Sequence, residues 1–110
     1  MPTTTYRVLG QLNPSANVET TVYTVPAATQ TVVSTIAVCN LANVATTFSL
    51  AVKVANAAVA NKNYINYQTP LPANDTMTLT LGITLGNTDV ISANCGSANV
   101  AVNVFGSEIV

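Results

Sequence analysis

TMTLTLGITL (76–85) decides the fold class: Met77, Leu79, Leu81, Ile83 and Leu85 fall on one parity, and Thr76, Thr78, Thr80 and Thr84 on the other. Side chains of a β-strand alternate between the two faces of its sheet, so a period of two marks a strand buried on one side only. The odd positions are expected in a core and the threonines outside, with Gly82 interrupting the outer row at a bend or bulge. A threonine face is neither apolar nor charged, and hydroxyls are far easier to desolvate than charges. Such a face suits burial against another protein.

The same signature recurs along the chain. TYRVLGQ (5–11), TTVYTV (20–25), TQTVVSTIAVC (29–39), TFSLAVKV (47–54), NYINYQ (63–68), DVISAN (89–94) and NVAVNVF (99–105) are rich in Thr, Val, Ile and Tyr, whose branched or flat side chains pack well on a pleated surface. With 76–85 they make about eight strands. Between them stand NPSAN (13–17), VPAAT (25–29), NLANVA (40–45), TPLPAND (69–75), GNTD (86–89) and CGSAN (95–99), where Gly, Pro, Asn and Asp supply turn dihedrals. Short strands at such intervals predict an all-β, single-domain antiparallel β-sandwich over 1–110, jelly-roll-like, with an immunoglobulin-like sandwich as the alternative. VANAAVANK (54–62) reads either as a hairpin connection or as one helical turn. In NYINYQ, alternation places Ile65 and Tyr67 in the core and leaves Tyr64 and Asn66 on the other face.

Composition narrows the function classes. Charged residues make up 6% of the 110 positions and the net charge is −1, against roughly 25% charge in ordinary soluble domains. At 49% hydrophobic the chain has the apolar content to fold and lacks the high net charge of disordered segments. Its apolar runs are far shorter than the about 20 residues a spanning helix needs, and the few aromatics do not make the girdles of an outer-membrane barrel; no membrane partner is expected. MPTTTYRVLG does not read as a secretory signal, so the chain is expected to stay in the compartment where it is made unless an assembly carries it out. Near-zero charge on a soluble domain favours association.

Reaction chemistry is hard to assemble from these residues. Histidine is absent, which removes the commonest general base near neutral pH. Asp75 and Asp89 each precede a strand, where Asp ordinarily binds turn backbone, and the sequon Asn74-Asp75-Thr76 lacks an export signal to make it meaningful. Cys39 and Cys95 have no histidine beside them for a zinc site; buried free thiols are expected, with a disulfide across the sandwich as the alternative. No phosphate-binding glycine loop occurs, and three scattered basic residues make no nucleic-acid patch. The expectations are no enzyme, no cofactor, no metal and no nucleic acid.

VYTVPAATQTVVSTIAVCN (22–40), NKNYINYQTPLPANDTMTLTLGITLGNTDVI (61–91) and FGSEI (105–109) resemble a family of small virion structural proteins of tailed bacteriophages, common among phages of cyanobacteria. The resemblance spans nearly the whole chain and carries no catalytic motif. It implies a β-sandwich of the capsid decoration or cement kind, made in the host cytoplasm and placed on the outer capsid surface of the virion. There it would bind the major capsid protein, often as a homotrimer, and stabilise the shell against packaged DNA through many copies. A neck, tail or fibre-associated virion protein and a host-glycan-binding module are the alternatives. The candidate contacts are Met1, Pro2, Thr3, Thr4 and Thr5 of an N-terminal arm ending near Tyr6, with 1–5 expected to be flexible; Ala57, Ala58 and Val59 of the 55–62 loop; Tyr64; and Ile109 and Val110 of the tail.

Overall fold

A computed structural model describes residues 3–110. Nine strands follow in order: β1 (Thr4–Leu12), β2 (Thr20–Thr24), β3 (Gln30–Asn40), β4 (Thr46–Lys53), β5 (Tyr64–Leu71), β6 (Thr76–Leu79), β7 (Ile83–Leu85), β8 (Val90–Cys95) and β9 (Val100–Ile109). All pairings are antiparallel. Sheet A has the order β1-β9-β3-β6, with β7 also paired to β3, and sheet B has the order β2-β8-β4-β5.

The order identifies the topology. β6 and β7 are two halves of one expected strand, both laid on β3. Counting them as one, the first strand pairs with the last, the second with the next to last, the third with the sixth and the fourth with the fifth. Those are the pairings of one long hairpin rolled into two sheets, which is a jelly roll and not an immunoglobulin-like arrangement.

The core forms where inward parities of the two sheets meet. Val100, Val102 and Val104 of β9, with Ile36 and Val38 of β3, face Phe48 and Leu50 of β4, Ile91 of β8 and Leu71 of β5, all essentially inaccessible. Met77, Leu79 and Ile83 pack against this cluster and Leu85 is buried within it. Leu81, expected in the core, is 52% exposed. The reason is local: Gly82 adopts φ 62, a left-handed conformation that glycine takes without steric penalty, and residues 80–82 leave the ladder. Three residues there, between Leu79 and Ile83, oppose two between Val33 and Ile36, so the extra residue swings Leu81 outward.

Polar groups also link the sheets. Tyr23 of β2 donates its hydroxyl proton to Glu108 Oε2 of β9 at 2.6 Å and lies 2.8 Å from Thr31 Oγ1 of β3, while Arg7 Nη1 of β1 donates to Glu108 Oε1 at 3.1 Å. Burial, reinforced by the Glu108 carboxylate, pushes the Tyr23 phenol up to about 12. Tyr23 and Glu108 are both buried, so an inward-facing acid on β9 is satisfied from two other strands, β1 and β2.

Register places the loops. The connections 25–29, 54–63 and 86–89 lie at one end of the sandwich with the chain termini, and 13–19, 41–45, 72–75 and 96–99 lie at the other. The 54–63 connection holds two single 3-10 turns, Val54–Asn56 and Asn61–Asn63, the first carrying Ala55 at φ 54. It is therefore a hairpin connection built from isolated turns.

Candidate functional site

The outer face of sheet A is built from the residues whose neighbours along the chain point inward. Pairing of Val8 with Phe105, Tyr6 with Ser107, Ala37 with Asn103 and Thr84 with Val32 puts these side chains on one surface. Thr76 and Thr78 continue it beside Cys39 and Ala37. Tyr6 is 84% exposed, and Val8 and Phe105 are also exposed. Glu108 falls on the inward parity and pairs with Arg7, whose half-exposed side chain borders a hollow of this face with Tyr6, Val32 and Phe105; among the described residues no other charged residue lies on it.

Three irregularities align across sheet A. β1 slips between Val8 and Gly10, β3 slips between Val33 and Thr35 against β9, and the β6/β7 break lies beside them. All sit at the level of Phe105 and Gly106, where a Cβ on Gly106 would run into the Val32 carbonyl oxygen. Bulges bend the strands that carry them; the sheet therefore bends once, along a line through Phe105.

The candidate contacts gather at the termini end. Thr4 pairs with Ile109 and Thr5 with Glu108 in the β1–β9 ladder, and Thr3 and Val110 exchange two backbone bonds of 2.9 Å. Residues 3–5 are thus paired backbone; Met1 and Pro2 lie outside the described residues. Ile109 and Val110 border a hollow of about 380 Å3 with Ala28, Gln30 and Asn87. Ala57 and Ala58 are exposed and Val59 is half-buried in the neighbouring connection, which is tied down where Ala55 N donates to Asp89 Oδ1 at 2.9 Å.

Tyr64 belongs elsewhere, on the outer face of sheet B. The structure corrects the expected placement of Ile65 and Tyr67 in the core: both are exposed, Tyr67 by 61%. β5 carries two bulges against β4, between the pairs Phe48–Thr69 and Leu50–Asn66 and between Leu50–Asn66 and Ala51–Tyr64. Extra residues reverse the parity, so Tyr67 lands beside Tyr64 with ring centroids 4.9 Å apart and planes at 72°. Asn66 fills the gap that the bulges leave in the ladder: Leu50 N donates to its Oδ1 at 2.9 Å and its Nδ2 donates to the Phe48 carbonyl at 3.2 Å.

The Tyr pair walls a cavity of about 140 Å3 lined also by Asn17, Thr47, Ser49, Gln68, Asn94 and Gly96. Beyond the pair a second hollow, of about 320 Å3, is bounded by Asn61, Tyr64 and Tyr67. Nearby on the same face Glu19 Oε2 accepts from Ser92 Oγ at 2.8 Å and lies 3.5 Å from Lys53 Nζ.

The remaining candidates are structural. Asp75 Oδ1 accepts from Thr76 N, and Asp89 Oδ2 accepts from Gly86 N, so both acids hold turns. Both cysteines are free. Cys95 is buried on the inward parity, where burial pushes its thiol up to about 11, whereas Cys39 lies half-buried on the outer face of sheet A, correcting its expected burial. Among the described residues no group of three or more metal-ligating side chains occurs, and no helix is long and apolar enough to cross a membrane. No family model matches the chain, and no curated protein or solved structure matches it.

Val8, Val32 and Phe105 were not among the sequence-level contact candidates. A signal for them existed: once Val100, Val102 and Val104 are inward, Phe105 must be outward by parity.

Proposed function

We propose that this protein is a phage capsid decoration protein that docks by the outer face of sheet A on the major capsid protein and bridges neighbouring subunits. The observation that carries the reading is the face centred on Tyr6, Val8, Val32 and Phe105, whose one charge, Arg7, is paired with Glu108 at its border. Charges resist burial far more than hydroxyls or methyls do, and a monomer with no need of a partner ordinarily keeps charge on such a surface. The virion resemblance of 22–40, 61–91 and 105–109 supports the same reading and supplies the partner.

Size argues for many weak contacts. Four strands about ten residues long present on the order of 500 Å2, below the about 800 Å2 per partner of a standard stable interface. One copy then binds modestly. A homotrimer presenting three such faces, with the termini end of each copy reaching a neighbour, converts modest contacts into stable attachment by avidity.

The test is co-sedimentation of the purified protein with expanded phage heads lacking it and, separately, with isolated tails. Hundreds of bound copies per head support decoration. A few copies on tails, with none on heads, would move the protein to the neck or tail.

A further inference from the structure

We propose that the Tyr64–Tyr67 corner on the outer face of sheet B is a binding site for a neutral saccharide. It lies on the opposite sheet from the proposed docking face and does not depend on it.

Among the described residues, several polar side chains at this corner have no protein partner. The cavity is lined by the side-chain amides of Asn17, Gln68 and Asn94 and the hydroxyl of Thr47, none of which donates or accepts a side-chain hydrogen bond within the described residues. Amides and hydroxyls each offer donors and acceptors together, the same dual character as the hydroxyls of a sugar. No lining residue is charged at neutral pH, and the nearest charges, Glu19 and Lys53, are engaged with each other. The ligand is therefore uncharged.

Shape and the aromatic rings narrow it further. A cavity of about 140 Å3 is well below the roughly 300–1,000 Å3 of pockets for drug-sized molecules, so it takes a group of one ring. Tyr67 presents an exposed ring held edge-to-face by Tyr64. A ring surface flanked by polar groups accommodates a ligand with one C–H-rich face and a hydroxylated rim. The second hollow past the same two rings, of about 320 Å3 and reaching Asn61, gives a linear oligosaccharide room for further units.

The backbone adds an independent observation. Gln68 holds a left-handed conformation at the rim, φ 47, which asparagine visits readily and glutamine does not. Non-glycine residues kept in that region cluster at ligand clamps. With Asn66 bracing the bulges, Tyr64, Tyr67 and Gln68 are presented by a preformed backbone.

An NMR titration of the full chain tests the site, using methyl glycosides of glucose, galactose, mannose and N-acetylglucosamine, their linear trisaccharides, and glucuronate as an anionic comparator. The expected result is perturbation of Tyr64, Tyr67, Gln68 and Asn94 by at least one neutral sugar with a Kd of about 1 mM. Its trisaccharide binds more tightly and also perturbs Asn61. Tyr67→Ala and, separately, Asn94→Ala weaken binding at least about tenfold, while the rest of the spectrum shows an intact fold. Tyr6→Ala, on the other sheet, leaves sugar binding unchanged. Absence of perturbation at these residues by every neutral sugar at about 50 mM overturns the proposal, as does binding that survives Tyr67→Ala or that favours glucuronate.

Discussion

The two outer faces of this sandwich are made from the same kinds of residue and end up different because their bulges fall differently. In sheet A the irregularities of β1, β3 and β6/β7 line up at Phe105, so the face bends as a unit and stays continuous. In sheet B the slips fall on the two edge strands, on β2 between Thr21 and Tyr23 and twice on β5, and those of β5 bring Tyr67 out beside Tyr64, onto a surface that regular alternation would have denied it. One face is a broad, largely apolar and hydroxylated patch and the other a small polar cavity, each bordered by one ion pair. Where a sheet slips is thus as informative about use as what it is made of.

The largest expected effect comes from breaking that asymmetry with charge. Tyr6→Lys together with Phe105→Lys puts two like charges on the outer face of sheet A. Binding to heads then falls by at least about 100-fold, about 3 kcal/mol, because each charge must be desolvated without a designed partner. Both side chains are exposed, so thermal unfolding stays within a few degrees of the parent. Thr21→Lys, on the outer side of sheet B, leaves head binding unaltered. Equal losses from both changes would mean that attachment does not distinguish the faces.

The next effect sharpens the comparison from the side of sheet B. Asn66→Ala removes the amide that stands in for backbone at the bulges, leaving Leu50 N–H and the Phe48 carbonyl without those bonds. Each such loss costs about 1–3 kcal/mol, so a total of about 2–3 kcal/mol is expected in denaturant unfolding. Head binding by the protein that remains folded is unchanged. Tyr64–Tyr67 contact, followed by ring proton shifts, is lost.

Alternation, β-favouring residues and turn residues between them marked the strands of this chain, and the eight expected segments correspond to the observed elements once β6 and β7 are taken as halves of one. Alternation misplaced Leu81, Ile65 and Tyr67 for a common reason. A bulge is a property of two strands in register, and neither strand's own sequence says where the partner will slip. Gly82 marked its bend because glycine is the residue that tolerates φ 62; no residue type marks the slips around Asn66. Strand order was equally out of reach, since a period of two says which way a side chain points and nothing about its neighbour. Of the candidate sites, composition made legible only the scarcity of charge, seven charged residues and no histidine in 110, whereas the placing of Val32 and Tyr67 depended on the partner strand.

A smaller effect concerns the link between the two sheets. Tyr23 releases its proton at about 12 in the fold against about 10 unfolded, so the native state binds that proton more tightly. Its contribution is whole below pH 10 and declines as the pH climbs through 12, by about 2–3 kcal/mol in all. Tyr23→Phe is expected to be about 1–2 kcal/mol less stable at neutral pH, having lost the bonds to Glu108 and Thr31, and to lose less further stability between pH 10 and 12. The raised thiol of Cys95 acts from about pH 9 to 11 in both proteins and cancels in the difference. Parallel pH curves for parent and variant would show that the phenol does not titrate with unfolding.

The smallest effect compares the two ends of the sandwich. At the end away from the termini, Asn17 and Asn74 hold the left-handed conformations; at the termini end they fall to Ala28, Ala55, Asn56 and Thr88. Asparagine tolerates that region, whereas a β-branched residue is strained there. Thr88, at φ 67 in the turn between β7 and β8, is the clearest case. Thr88→Gly should raise stability by about 1 kcal/mol, read as a higher denaturant midpoint at unchanged slope. Its hydroxyl donates only to the carbonyl of Asn87, an exposed local bond whose loss is minor. Strain held at the end where the candidate contacts gather fits a surface selected for something other than the stability of the free chain. If the variant binds heads less well although it is more stable, the turn belongs to the docking surface; if it binds equally, the strain is unconnected with attachment and sheet A alone carries it.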